Sequence, residues 1–196
     1  MLKKNLPNFI TLMNLSFGVS AILIAASTDK FNLLQRGDDV NLIYFSCLFV
    51  MAAALTDRFD GKLARRLNAT SEMGKQLDSL CDLISFGVAP AVIAWKLHFT
   101  SSSLLFSGGQ IIGYIVMLIY PIAGAIRLAR FNVQDDSTVF FGIPITLAGS
   151  VLTLLNLLNT YLFLRGDFSL INIISCIVLM VILSFLMLSR ITISKV

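Results

Sequence analysis

Residues 56–82 read T-D-R-F-D-G-K-L-A-R-R-L-N-A-T-S-E-M-G-K-Q-L-D-S-L-C-D. The stretch sets four aspartates, Asp57, Asp60, Asp78 and Asp82, against the ends of two long apolar runs. Only 13% of the 196 residues are charged, so this concentration of acid is out of keeping with the rest of the chain. An ionised Asp at membrane depth costs about 2.5–3.5 kcal/mol on insertion scales. Four such costs at helical spacing point to a site built for cations.

Working outward from that stretch, 57% of the residues are hydrophobic and the mean hydropathy is +0.85. A soluble domain of this length cannot hide so much apolar surface, so lipid is the solvent for most of it. Uncharged runs occupy Asn5–Thr28, Val40–Thr56, Leu83–Trp95, Leu97–Ile126, Ser137–Leu164 and Phe168–Ser189. A helix needs about 20 apolar residues to cross the hydrocarbon core. Val40–Thr56 reaches that length if its helix continues through Asp57, and Leu83–Trp95 does so if its helix begins near Gly74. The reading is one all-α membrane domain over residues 1–196, with six transmembrane helices and no internal repeat.

The net charge is +4, and its placement carries orientation. With six spans, Lys3, Lys4, Arg58, Lys62, Arg65, Arg66, Lys75, Arg127, Arg130, Arg190 and Lys195 fall on one side. Lys30, Arg36, Lys96 and Arg165 fall on the other. The positive-inside rule makes the first side cytoplasmic, with both termini and the acidic cluster. These bases rim membrane spans and form no separate basic domain, which argues against a nucleic-acid partner. Cys47, Cys81 and Cys176 lack metal-site spacing and read as small buried hydrophobes. Lys3-Lys4 before an apolar stretch ending Ala25-Ala26-Ser27 resembles a secretory leader. Five further spans and the helix-starting Pro7-Asn8 favour an uncleaved first span. His98 reads as an interfacial residue near the side opposite the acids.

A helical step of three or four stays on one face, so Asp57, Asp60, Gly61 and Ala64 form one stripe. Gly74, Asp78, Asp82 and Ser85 form a second, after a polar break at Asn68–Glu72 where Thr70-Ser71 can cap the next helix. Small residues beside the acids allow close helix approach and leave room for a ligand. Packed face to face, the stripes gather four carboxylates that repel unless cations or protons neutralise them. All-oxygen donors suit hard divalent ions, Mg²⁺ or Mn²⁺, and two of them match the charge and phosphoryl chemistry. Arg65 adds a fork for a phosphate oxygen. Pairing of the acids with neighbouring Lys and Arg as a snorkelling surface network explains the charge balance but not the small residues.

The pattern Asp57-x₂-Asp60-Gly61-x₂-Ala64-Arg65-x₈-Gly74-x₃-Asp78-x₃-Asp82 resembles the signature of the CDP-alcohol phosphatidyltransferases, integral membrane enzymes of phospholipid synthesis. The resemblance implies a six-helix bundle, usually dimeric, with a site open to the cytoplasm. It implies that Asp57, Asp60, Asp78 and Asp82 hold two cations and that Asp82 is also the base for the acceptor alcohol. It places Gly61, Ala64, Arg65, Ser71 and Gly74 along the pocket for CDP-diacylglycerol, and Asn8 and Thr11 of Pro7-Asn8-x₂-Thr11 near the same lipid. Asp78-Ser79-x₂-Asp82-x₃-Phe86-Gly87-x-Ala89-Pro90, Gly124-Ala125-x-Arg127-Leu128-Ala129-Arg130-Phe131-Asn132 and Phe141-Gly142-Ile143-Pro144 resemble the branch that accepts L-serine. Arg127 and Arg130, three apart, read as ligands for the serine carboxylate, with Asn132 adding a hydrogen bond. Two Arg at a helix C-terminus also satisfy the helix dipole without a ligand. The alternative acceptors are glycerol-3-phosphate or an inositol phosphate. Outside the family, the alternative is a cation transporter, against which the helix-end position of the acids argues.

Overall fold

The computed structural model describes residues 2–28, 37–66, 71–100, 107–133, 139–189 and 192–194. Six of its helices are long and apolar enough to span a membrane: Asn8–Ser27, Val40–Phe59, Glu72–Phe99, Ile111–Val133, Ile145–Arg165 and Leu170–Leu188. The chain is a multi-pass membrane protein. The helical elements are α1 (Leu2–Ser27), α2 (Gly37–Arg66), α3 (Glu72–Asp82), α4 (Ala89–Trp95), α5 (Ser107–Val133), α6 (Ile145–Arg165) and α7 (Leu170–Leu188). Both conditional readings hold: α2 runs without a break through Asp57, and the third span starts ahead of Gly74.

The third span is the least regular. Its α3 and α4 segments are joined by a π-helical stretch, Leu83–Val88, and a second, Lys96–Thr100, follows α4. The cause is legible at Pro90. Proline has no N–H to give and its ring crowds the carbonyl four residues back. The chain answers with a wider turn in which the Ala89 N–H bonds to the Ile84 carbonyl. The freed Phe86 carbonyl accepts a hydrogen bond from the Tyr120 hydroxyl at 3.2 Å. The Pro90 carbonyl accepts one from the Asn156 amide at 3.0 Å. In lipid every backbone group needs such a partner. Because Lys96–Thr100 continues this helix, Leu97–Phe99 belong to the third span, whereas the uncharged run beginning at Leu97 suggested the fourth.

Helix ends meet in two layers. At one end Lys96 Nζ donates to the Ala26 and Thr28 carbonyls, both at 3.0 Å, closing the C-terminus of α1. At the same end His98 is fully buried and stacks on Phe168 with ring centroids 5.5 Å apart. His98 is thus a bundle residue, where an interfacial one was expected. At the other end a short ribbon, which hydropathy alone did not suggest, ties the approach to α6 to the chain beyond α7. Its strands, β1 (Val139–Phe141) and β2 (Thr192–Ser194), pair antiparallel with Phe140 opposite Ile193. Gly142 follows β1 at φ +69, and a Cβ there would lie 2.9 Å from the Leu186 carbonyl oxygen, so only glycine fits this turn. Pro144 then caps α6, which starts at Ile145, inside the uncharged run that began at Ser137. Cys47, Cys81 and Cys176 are buried thiols outside any disulfide, as their spacing suggested.

Candidate functional site

The third span is 28 residues long. At about 1.5 Å per residue it exceeds a ~30 Å hydrocarbon core by roughly eight residues. It is therefore long enough to extend past the core, and Asp78 and Asp82 lie in its first eleven residues. Ser71 caps α3 and its hydroxyl accepts from the Gly74 N–H at 3.0 Å, the capping role that its position suggested.

On this scaffold Asp57 from α2 and Asp78 and Asp82 from α3 each offer a carboxylate oxygen, all within 4.8 Å of one another. Asp57 and Asp82 are in hydrogen-bonding contact, and Arg58 lies beside Asp57 as a positive charge. Two carboxyl groups so close need a shared proton or a cation between them. The donor set is all oxygen, half-buried to buried, and convergent, which fits a hard divalent ion. Asp60 sits one turn after Asp57 on α2, but its side chain lies outside the described residues, as do those of Ala64 and Arg65. A Cβ built on Gly61 meets nothing within 4 Å, so there is open space on the acidic face of α2.

The first span supplies the opposite wall. Asn8, Thr11, Asn14 and Gly18 follow at steps of three, three and four, a single helical face. Asn8 Oδ1 is 3.2 Å from where a Gly74 side chain would begin, so these two residues face each other across the mouth of the site. Thr11 is buried on the same face. The Asn14 amide NH₂ lies 3.5 Å from Asp82 Oδ1, and the Asn14 carbonyl accepts from the Ser85 hydroxyl at 3.1 Å. Gly18 leaves just enough room for Ser85, with which any Cβ would collide. Asn14 was not among the residues expected here, although its place three positions after Thr11 on the same face was a signal for it.

From the fourth span, Arg127 is partly buried and interacts electrostatically with Asp82, and its Nε is buried with no hydrogen-bond partner. Arg130 is exposed and its guanidinium donates to the Leu188 carbonyl at 3.3 Å, toward the end of α7. The two arginines thus have different neighbours, although their spacing suggested a common target. Asn132 donates to Ser79 Oγ at 2.9 Å and to Gln76 Oε1 at 3.1 Å. It therefore locks α5 to the turn of α3 that carries Asp78.

The family described as CDP-alcohol phosphatidyltransferase matches residues 4–193. A Bacillus subtilis protein named CDP-diacylglycerol–serine O-phosphatidyltransferase is 38% identical over 115 residues, 58% of this chain and 61% of its own. A Helicobacter pylori protein of the same name is 36% identical over 82% of this chain and 61% of its own length. One from Methanocaldococcus jannaschii is 33% identical over 80% of this chain and 63% of its own. The chain thus spans about 61–63% of these relatives' length.

Proposed function

This chain belongs to the CDP-alcohol phosphatidyltransferase family, and on that premise we propose that it moves a phosphatidyl group from CDP-diacylglycerol to the hydroxyl of L-serine. The observation that carries the proposal is the convergence of Asp57, Asp78 and Asp82 at one point with Arg127 beside Asp82. The shared name of the Bacillus, Helicobacter and Methanocaldococcus relatives supports serine as the acceptor. Two divalent cations, Mg²⁺ or Mn²⁺, would be held by Asp57, Asp60, Asp78 and Asp82, and when bound would neutralise charge on the diphosphate.

The protein's own groups divide the remaining work. Asp82, with an oxygen facing Asn14 and a carboxyl in contact with Asp57, takes the proton of the serine hydroxyl. The serine oxygen then bonds to the phosphorus that carries diacylglycerol, the bond from that phosphorus to CMP breaks, and CMP leaves with the electron pair. Arg127, with a buried donor unmatched inside the protein, takes the serine carboxylate. Asn8 and Gly74 border the nucleotide end, and the lipid tails stay in the bilayer. The Lys/Arg bias puts this site and both termini on the cytoplasmic side, and the protein works as a homodimer.

The test is CMP release by purified protein given CDP-diacylglycerol, Mn²⁺ and a panel of acceptors. Serine is expected to support turnover, and glycerol-3-phosphate and inositol phosphates are not. Turnover with glycerol-3-phosphate and none with serine would overturn the acceptor and leave the cation site standing.

A further inference from the structure

Two buried polar atoms near Asp82 have no hydrogen-bond partner in the protein: Asn14 Oδ1 and Arg127 Nε. Asn14 is completely buried on α1. Its amide orientation follows from Asp82, because the NH₂ group turns to the Asp82 carboxylate and a reversed amide would set oxygen against oxygen. The Asn14 oxygen is thereby committed elsewhere, as a neutral acceptor with nothing to accept from. A buried acceptor left in that state is costly unless a ligand brings a donor. Its position is also fixed: the Asn14 backbone is tied to Ser85, and Gly18 lets α1 sit tightly on the third span.

The three groups make a pattern. Arg127 offers a cationic donor, Asn14 a neutral acceptor, and Asp82 lies beside both. A 2-amino-3-hydroxy acid presents a carboxylate, an ammonium and a hydroxyl. We propose that Asn14 Oδ1 receives the ammonium group of the acceptor, so that Asn14, Arg127 and Asp82 together read a zwitterionic amino alcohol at three points. The inference rests on the proposed function and deepens it by adding a residue that determines specificity. A phosphate-bearing polyol has no cationic donor, and its hydroxyls offer the amide oxygen only a weaker neutral hydrogen bond. Selection against such acceptors then follows from a neutral residue in the first span as well as from the arginine.

The test uses CMP release by the full-length protein in detergent with CDP-diacylglycerol and Mn²⁺. Asn14→Ala should raise the KM for L-serine about ten- to a hundredfold, the range for a charge-assisted hydrogen bond. The KM for CDP-diacylglycerol and the Mn²⁺ concentration for half-activation should not change. 3-Hydroxypropionate, which keeps the hydroxyl and carboxylate but lacks the ammonium, should inhibit serine transfer with the same Ki in wild type and variant. Unchanged CDP-diacylglycerol binding shows that the variant is folded. If Asn14→Ala does not fold, Asn14→Ser serves for the same comparison. An equal change in the serine KM and the 3-hydroxypropionate Ki would overturn the inference and reduce Asn14 to a prop for Asp82. A shifted Mn²⁺ requirement would overturn it too, making Asn14 part of the cation site. A wild-type enzyme that ignores serine altogether would instead remove the proposed function.

Discussion

The bundle buries polar groups at both ends, and the two ends are built on opposite rules. At one, three carboxylates from two helices crowd within 4.8 Å, flanked by a partly buried arginine and an amide with an unmatched oxygen. At the other, neutral groups form a chain in which each amide both donates and accepts. Asn159 faces the His98 imidazole Nε2 at 3.3 Å and accepts from Asn172 at 3.0 Å, while Asn172 accepts from the Ser169 backbone N–H and hydroxyl. The second arrangement links the third, fifth and sixth spans through neutral groups that pair with one another. The first is incomplete without a ligand. Converging charges mark chemistry at the first end, and neutral amides paired with one another mark scaffold at the second.

The largest expected effect tests the incomplete end. Asp78→Asn is nearly isosteric and should abolish CMP release while the protein still inserts and elutes as a folded species. Asp82→Asn should lower the rate by 10²–10⁴-fold, the range for loss of a general base, with a smaller effect on CDP-diacylglycerol binding. EDTA should silence the wild type, and added Mg²⁺ or Mn²⁺ should restore it. Full turnover in metal-free buffer would break the contrast between the ends, because the carboxylates would then be self-sufficient.

Next in size is Arg127→Lys. Lysine keeps the charge but loses the planar fork, so the serine KM should rise about ten- to a hundredfold. The CDP-diacylglycerol KM should stay put. Arg130→Lys should change the serine KM far less, since Arg130 already spends a donor on the Leu188 carbonyl. Equal effects from both would mean that the arginines act as one patch, as their spacing alone suggested.

That pair shows how much of the molecule is legible in its sequence. The six spans follow from uncharged runs, and the acidic hairpin follows from steps of three and four, because hydropathy and helical periodicity are local properties. Ser71 as a helix cap is equally local. Asn14 is only half legible. Its spacing puts it on the face of Asn8 and Thr11, but its partner Asp82 is 68 residues away, and the apolar run does not say which helix that face meets. The divergence of Arg127 and Arg130 depends on where α7 ends, which their own helix does not encode. The π-helical turn was half visible, since Pro90 announces a fault but not the wider turn that repairs it. The three-residue strands of the ribbon are too short for a hydrophobic period.

A third prediction addresses the neutral end. Asn159→Leu removes the link between His98 and Asn172 and leaves both facing an apolar group. A buried polar group stripped of its partner costs about 1–3 kcal/mol. Thermal unfolding in detergent should therefore come earlier, while the serine and CDP-diacylglycerol KM values of the folded fraction stay at wild type. Loss of catalysis without loss of stability would mean that this network reaches the chemistry.

The smallest effect is expected between the two ends, at Tyr120→Phe. Tyr120 is fully buried and its hydroxyl satisfies the Phe86 carbonyl that Pro90 releases. Removing it forfeits one neutral hydrogen bond, about 0.5–1.5 kcal/mol, somewhat more if the carbonyl finds no water. Phe86 lies four residues beyond Asp82 in the same stretch of helix. The variant therefore asks whether the π-helical turn merely accommodates proline or also holds Asp82 in register. A scaffold role predicts slightly lower thermal stability with kcat unchanged. A lower kcat at unchanged stability would extend the incomplete end by a full turn into the membrane, and would make the turn at Pro90 part of what positions the base.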